Sequence, residues 1–422
     1  MNSDGSSTAI PRDRAPDSTL AFLTEGYTFV TRRCRRYGSD AFETRLLGER
    51  AVCMQGEEAA SVFYEPERFT RKRALPRTGL ELLLDFGSVG VLDGEAHHHR
   101  KAMFLSLMTR EGIADLAQRT AEEWRSALRR WENADRVVLS AGAREVLCRA
   151  VCAWTGVPLP EAQVERRAYD LMSMFDGAGS AGPRNVRGHL CRKRTEAWVE
   201  ALFGQVRAGA VAVPQGSAVE TIAWHRGLDG GLLTAEVAAV ELINLLRPTV
   251  AIARYVVFAA LALHEHPACR EALRAGGDDE VKRFAQEVRR FYPFFPVIGG
   301  RVKEAFDWRG HHFPRGRWVL LDLYGTNHDP RVWERPDVFE PERFRDWNGS
   351  PFAFIPQGGG DHRTGHRCAG EWVTIALLEV IVGALVREMD YRLPPQDLRV
   401  SLRRMPAIPR SGVVIDGVRQ AA

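Results

Sequence analysis

Apolar and polar residues follow two rhythms along this chain. Over residues 111–131, Ile113, Leu116, Trp124, Leu128 and Trp131 recur at helical spacing, which predicts an amphipathic helix. Residues 139–155 and 195–208 read as helices too, separated by a Gly/Pro-rich break at 177–183. The longest apolar-periodic segment spans 234–265. Residues 278–292 form a charged helical pattern that Pro293 ends. Trp372, Val373, Ile375, Ala376, Leu378, Val380 and Ile381 predict a further helix, largely buried. The second rhythm has period two. Phe42, Thr44 and Leu46, then Ala51 and Cys53, flank Gly48 and predict a hairpin within 41–55. Short strands are expected near 297–302, 317–323 and 412–416. No internal repeat and no linker-like stretch divides the chain. These elements predict a mainly α architecture: one large helical domain over 19–422 with a minor β-sheet, preceded by a flexible polar tail at 1–18.

Composition narrows the function classes. The 422 residues are 45% hydrophobic and 27% charged, as in soluble globular proteins. Net charge is +4 with both signs mixed, so no nucleic-acid footprint is implied. The N-terminus, Met-Asn-Ser-Asp-Gly-Ser-Ser, has no apolar run, so neither signal peptide nor membrane anchor is expected. Seven cysteines, an odd number with no CxxC pair, fit a reduced, cytoplasmic chain better than a disulfide framework. Cys148 and Cys152 lie one helical turn apart and read as buried thiols rather than metal ligands.

Three constellations carry chemistry. The first is Cys368, which ends a glycine-rich loop (Gly358, Gly359, Gly360) and precedes the last predicted helix. A sulfur at a helix N-terminus meets unpaired N–H groups and the positive end of the helix dipole, which favours a thiolate. Glycines let the backbone approach something flat, and a thiolate so presented suits haem iron. A buried structural cysteine is the plainer alternative. The second is Glu287-Val-Arg-Arg290, which sets an acid and a base on one helix face, followed by Arg343 in Pro341-Glu-Arg-Phe344. The third is Arg247-Pro248, in the middle of the most apolar helix. A buried guanidinium is expensive unless an anion meets it. A mid-helix proline costs about 3 kcal/mol. Both at adjacent positions point to a carboxylate clamp, for which guanidinium geometry is suited. An arginine that snorkels to the surface, or that binds a haem propionate, is the alternative. The run His97-His-His-Arg100 invites a metal reading, but consecutive helical residues point in different directions.

His366-Arg-Cys368-Ala-Gly370, with Glu287, Arg290 and Arg343 upstream, resembles the cytochrome P450 superfamily, although the loop before the cysteine is longer than usual. Arg247-Pro248, Phe291-Tyr-Pro-Phe-Phe-Pro296, Leu321-Asp-Leu-Tyr-Gly-Thr-Asn-His-Asp329 and Pro356-Gln-Gly-Gly-Gly-Asp361 resemble one branch of it, the hydrogen-peroxide-dependent fatty-acid peroxygenases. The resemblance implies the cytochrome P450 fold and haem b with Cys368 as axial thiolate. It implies a buried ion network of Glu287, Arg290 and Arg343. His97, Arg100, Arg71 and His366 become candidates for the haem propionates, and Gln357 for a place near the ligand. Arg247 and Pro248 become catalytic candidates. Leu84, Gly90, Phe175, Ala178 and Phe294 become substrate contacts beside Arg247. The implied partners are a long-chain fatty acid and hydrogen peroxide, with no redox partner. The implied reaction is hydroxylation at the alpha or beta carbon, with the carboxylate held by Arg247 as general acid–base. Decarboxylation to a terminal alkene would compete. Gly90 stands where relatives carry Gln or His, which favours hydroxylation. Two rivals remain: an oxygen- and reductase-dependent monooxygenase, and a non-catalytic haem or fatty-acid binder. The acid–threonine pair of oxygen-activating relatives is absent from the central helix, which speaks against the first.

Overall fold

The helical rhythm becomes a stack of packed helices in a computed structural model that describes residues 10–421. Helix Arg110–Trp131 starts where the Thr109 hydroxyl accepts the Gly112 N–H at 3.1 Å. It buries Leu116, Trp124, Leu128 and Trp131 against helices Leu139–Thr155 and Glu371–Gly383. Helix Pro183–Arg207 begins twelve residues before the expected position 195. Gly182, at φ +77°, turns the chain, and a proline in the first helical turn sacrifices no bond. The 177–183 break is therefore short, and helix Val164–Ala178 packs directly on the helix after it.

The central apolar segment was expected to be one helix. It is two: Ala235–Ala251 and Ala253–Glu265. The chain stays helical through Pro248, which has no N–H to give. The Thr249 hydroxyl then donates to the Leu245 carbonyl at 2.8 Å, a contact that bends helices. The Ile252 N–H bonds the Thr249 carbonyl at 3.1 Å, a tighter i→i+3 link that separates the two halves. The combined span is apolar and long enough to cross a bilayer, but its residues are almost wholly buried among other helices.

A five-stranded sheet flanks the helices in the order Ala41–Leu46, Glu49–Met54, Trp318–Asp322, Val297–Val302, Phe69–Thr70. The predicted hairpin closes at Leu47-Gly48, both with positive φ, as a two-residue turn between twisted strands requires. Ala51–Met54 runs parallel to Trp318–Leu321. The strand expected at 412–416 is Val414–Gln420, which pairs with Arg136–Val138 and Met389–Arg392.

Residues 1–9 of the expected tail lie outside the described residues. Residues 10–18 are held in place, contrary to the reading of a flexible tail. The Asp13 N–H bonds the Glu43 carbonyl at 2.8 Å, and the Ser18 N–H bonds that of Arg45 at 2.8 Å. Arg33 pairs with Asp13 at 2.6 Å. The outer edge of Ala41–Leu46 offers unpaired backbone groups, and this segment satisfies them.

Behind the last helix, Glu287 and Arg290 are fully buried and doubly hydrogen-bonded at 2.7 and 2.8 Å. The Arg343 Nε reaches Glu287 at 3.3 Å, and the Glu340 N–H reaches it at 2.8 Å. Arg290 also donates to the carbonyls of Asn327 and Pro336 at 3.0 Å. One carboxylate thus ties helix Asp278–Phe291 to the irregular chain over 327–343. Glu287→Ala strands two buried cations and should destabilise the protein by about 3–5 kcal/mol in urea unfolding. A loss below about 1 kcal/mol would show that the network does not hold this region.

His328 lies beside this network, its ring 4.1 Å from that of Tyr324. Burial, with Arg290 adding to it, pushes its pKa down from 6.5 to about 3. The folded chain keeps the imidazole neutral while the unfolded chain protonates near 6.5. The stabilisation from the neutral ring is full above that pH and is lost as pH falls toward 3. His328→Phe should decline less steeply in stability than the parent over this acid range. Parallel pH–stability curves would refute the assignment.

Candidate active site

Three segments converge on one cavity of about 330 Å³. They are helix Ala235–Ala251, the chain over 83–91 that leads into helix Gly94–Leu107, and the glycine-rich loop before helix Glu371–Gly383. Interiors are otherwise close-packed, so a void of this size is a site built to hold something. Cys368, Arg247, Pro248, Leu84, Gly90, Phe175, Phe294, His97, His366, Arg71 and Gln357 all line it. Arg100 and Ala178 do not.

The cysteine loop is shaped from beneath and from the side. A Cβ on Gly359 would come within 2.6 Å of the Pro351 carbonyl oxygen, so only glycine fits. The Arg367 carbonyl accepts from Lys101 Nζ at 2.9 Å, and the Gly365 carbonyl accepts from the same ammonium. Arg289 donates to Gln357 at 3.1 Å and to Glu371, while Arg367 holds the other Glu371 oxygen at 2.6 Å. Burial raises the Glu371 carboxyl, but Arg289 and Arg367 hold it below its usual range. Gln357 Nε2 bonds the Thr374 hydroxyl at 2.9 Å and lies 4.0 Å from Cys368 Sγ. Burial pushes the Cys368 thiol up, and Glu371 adds to it; the Gly370 N–H, Lys101 and Arg289 act the other way. The helix end alone therefore does not make a thiolate here. A metal cation on the sulfur would, because a coordinating thiol is deprotonated outright.

Basic residues gather at one edge of the cavity. The His97 and His366 rings pack at a tilt of 33° with centroids 4.1 Å apart. Burial pushes them down to about 4 and about 2, so both are neutral near pH 7. Arg71 donates to the Gly299 carbonyl at 2.7 Å, and its buried Nε has no partner. On helix Gly94–Leu107 the residue that joins His97 at this edge is Lys101 rather than the expected Arg100. Burial pushes Lys101 down to about 8, with Cys368 opposing. Arg100 instead meets Glu241 at 2.7 Å, because that fully buried carboxylate needs a cation. The remaining histidines diverge: His99 bonds the Arg226 carbonyl at 2.8 Å and packs on His225.

Glu241, Asn244 and Arg247 lie on one face of the central helix and grip the chain over 83–89. Glu241 accepts the Val89 N–H at 2.8 Å, Asn244 donates to the Leu84 carbonyl at 3.3 Å, and Arg247 donates to that of Leu83. Arg247 is 5% exposed and its Nε has no partner. Burial pushes its pKa down to about 9, and Arg192 adds to this. It remains a cation at neutral pH, and among the described residues no carboxylate lies within ion-pair distance of it. At Gly90 a Cβ would come within 2.8 Å of Leu84 Cδ2, so Leu84 fills the place of a side chain there. Ala178 ends its helix outside the cavity wall, its carbonyl against Gly79.

This donor set fits a haem. It offers one thiol, an apolar slot, and a basic edge that includes an orphaned guanidinium N–H for acidic substituents.

The family model "Cytochrome P450" matches residues 281–411. Among curated proteins, (+)-menthofuran synthase of Mentha piperita is 35% identical over 118 residues, 27% of this chain and 23% of that protein. Geissoschizine oxidase of Alstonia scholaris is 28% identical over 193 residues, 40% and 38% of the two. The matches thus span about a quarter to two fifths of these curated relatives. Solved structures match along the whole chain. A cytochrome P450SP alpha variant is 47% identical with TM-score 0.94, covering 97% of this chain and all (100%) of that one. Cytochrome P450EX alpha, solved with myristic acid, is 46% identical with TM-score 0.95, covering 98% and 100%. A variant of cytochrome P450 OleT in complex with arachidonic acid is 36% identical with TM-score 0.95, covering 98% and 99%.

Cys368→Ala should abolish the thiolate-type absorption band of the ferrous carbon monoxide complex. An unchanged spectrum would refute Cys368 as the axial ligand.

Proposed function

This chain belongs to the cytochrome P450 superfamily, and we propose that it is a fatty-acid peroxygenase that uses hydrogen peroxide to hydroxylate its substrate beside the carboxyl group. The observation that carries this reading is Arg247: a guanidinium in an apolar cavity with a free N–H and, among the described residues, no carboxylate within ion-pair distance. A fatty acid supplies the missing anion. Fatty acids occupy two of the related structures, as myristic and arachidonic acid.

The chain's own groups then divide the work. Arg247 binds the carboxylate by charge-assisted hydrogen bonds, and its bond to Leu83 fixes the direction in which it offers them. Pro248 withholds a backbone N–H beside it, which leaves the Asn244 carbonyl without its helical donor. The clamped carboxylate takes a proton from one oxygen of hydrogen peroxide and returns it to the other as general acid–base. Hydrogen peroxide is itself the two-electron oxidant: its O–O bond breaks, one oxygen ends in the hydroxy acid and the other leaves as water, so no reductase is required. Cys368 Sγ would hold the haem, which would supply the oxidising chemistry when bound. Arg71, His97 and His366, together with Lys101, would hold its acidic edge. Gln357, fixed by Arg289 and Thr374, supports the loop that carries the sulfur. Leu84, Phe175 and Phe294 exclude water and guide the alkyl chain, so the anchored end presents its alpha and beta carbons to the reaction. Gly90 offers no hydrogen-bond donor, which favours hydroxy acids over terminal alkenes.

The test is product analysis by gas chromatography–mass spectrometry with haem-loaded protein, a long-chain saturated fatty acid and hydrogen peroxide, without NAD(P)H or reductase. Hydroxy acids as the main products are expected. Arg247→Ala should retain haem yet lose about 100-fold or more in kcat/KM, the scale of losing charged hydrogen bonds together with substrate position. Turnover that demands a reductase, or full activity in the variant, would overturn the reading.

A further inference from the structure

A second group of guanidiniums lies apart from Arg247, and the proposed reaction does not use it. Arg254, in helix Ala253–Glu265, is 2% exposed. One nitrogen pairs with Asp176, but its buried Nε and Nη1 have no partner. Arg184 stands in the first turn of helix Pro183–Arg207 and donates to the Met405 carbonyl at 2.7 Å. Arg404 comes from the loop before Met405, and its buried Nε is also unpartnered. Exposed Arg187 follows one turn after Arg184. Burial pushes Arg184 and Arg404 below their ordinary range. Both feel Arg254 and Arg187 as like charges, and Asp176 is the carboxylate that acts on them most strongly.

Arg254, Arg184 and Arg404 thus gather near Asp176 from segments distant in sequence, and Arg254 alone pairs with it. The helix end beside them adds to the excess. Its N-cap, Gly182, provides no side-chain acceptor, Pro183 follows, and the first turn holds no acid. Such an end of a 25-residue helix attracts an anion, and the orphaned N–H groups of Arg254 are the donors one would engage.

We propose that Arg254, Arg184 and Arg404, with the N-terminal end of helix Pro183–Arg207, form a second oxyanion site that takes a carboxylate or phosphate group. Its position suggests a source. Arg254 follows Arg247 by seven positions, about 10 Å along a helix. Its guanidinium lies 5.7 Å from the ring centroid of Phe175, which lines the cavity. The far carboxylate of an α,ω-dicarboxylic acid held at Arg247 is one source. A free oxyanion such as inorganic phosphate is the other. The site itself is independent of the peroxide chemistry.

The experiment compares haem-loaded wild type with Arg184→Gln and Arg404→Gln, singly and together; both positions are half-buried, and circular dichroism checks that each variant folds. Optical titration measures affinity for a long-chain monoacid and for the diacid of equal length. Thermal unfolding compares phosphate with chloride at equal ionic strength. A diacid preference of roughly tenfold, lost in the double variant, assigns the site to the substrate's second carboxylate. Equal acid affinities, with stabilisation by phosphate that the double variant loses, assign it to a free oxyanion. If neither the diacid preference nor the phosphate effect depends on these arginines, the proposal is overturned.

Discussion

An ionic group taken out of water must find an opposite charge or a full set of hydrogen bonds, and much of this molecule is arranged around where that condition is met and where it is withheld. Glu287 meets it completely, with Arg290, Arg343 and a backbone N–H around one carboxylate. Glu371 meets it between Arg289 and Arg367. Glu241 meets it with Arg100 and the Val89 N–H. These closed sets fix the loop that carries Cys368 and the chain that roofs the cavity. Arg247 is left open among them. It sits on the same helix face as Glu241 and Asn244, so the contacts that rigidify its surroundings also aim its unmet charge into the cavity.

The thiol illustrates the same balance from the other side. A helix N-terminus and two nearby cations favour its ionisation, yet burial outweighs them. The protein thus supplies position and orientation, and the charge state of the sulfur follows from what it binds. Gln357, held by the Thr374 hydroxyl, directs an amide N–H toward the sulfur from 4.0 Å.

Much of the architecture was legible in the sequence, because periodicity reports which face of an element is buried. Helices Arg110–Trp131, Leu139–Thr155 and Asp278–Phe291 lie within a residue or so of their expected ends, where Thr109, Gly156 and Pro293 stop them. The hairpin at Leu47-Gly48 followed from alternation and one glycine. Cys368 and Arg247 stood out because each breaks its local pattern. Other features had no such signal. The exchange of Arg100 for Lys101 at the cavity edge depends on Glu241, far along the chain. The anchoring of residues 10–18 depends on an unpaired strand edge, and the break at Ile252 on a hydroxyl bond from the residue after a proline. A spacing of three or four residues can announce a helix face, but it cannot say which distant group will meet it.

Leu84 and Gly90 occupy a single volume: the methyls of one stand where the side chain of the other would begin. The two positions are therefore not free to vary independently. A larger residue at 90 requires Leu84 to swing its methyls aside or to be replaced by a smaller residue, so a change at one position is felt at the other. The shape of the cavity roof is thus set by the pair rather than by either residue alone.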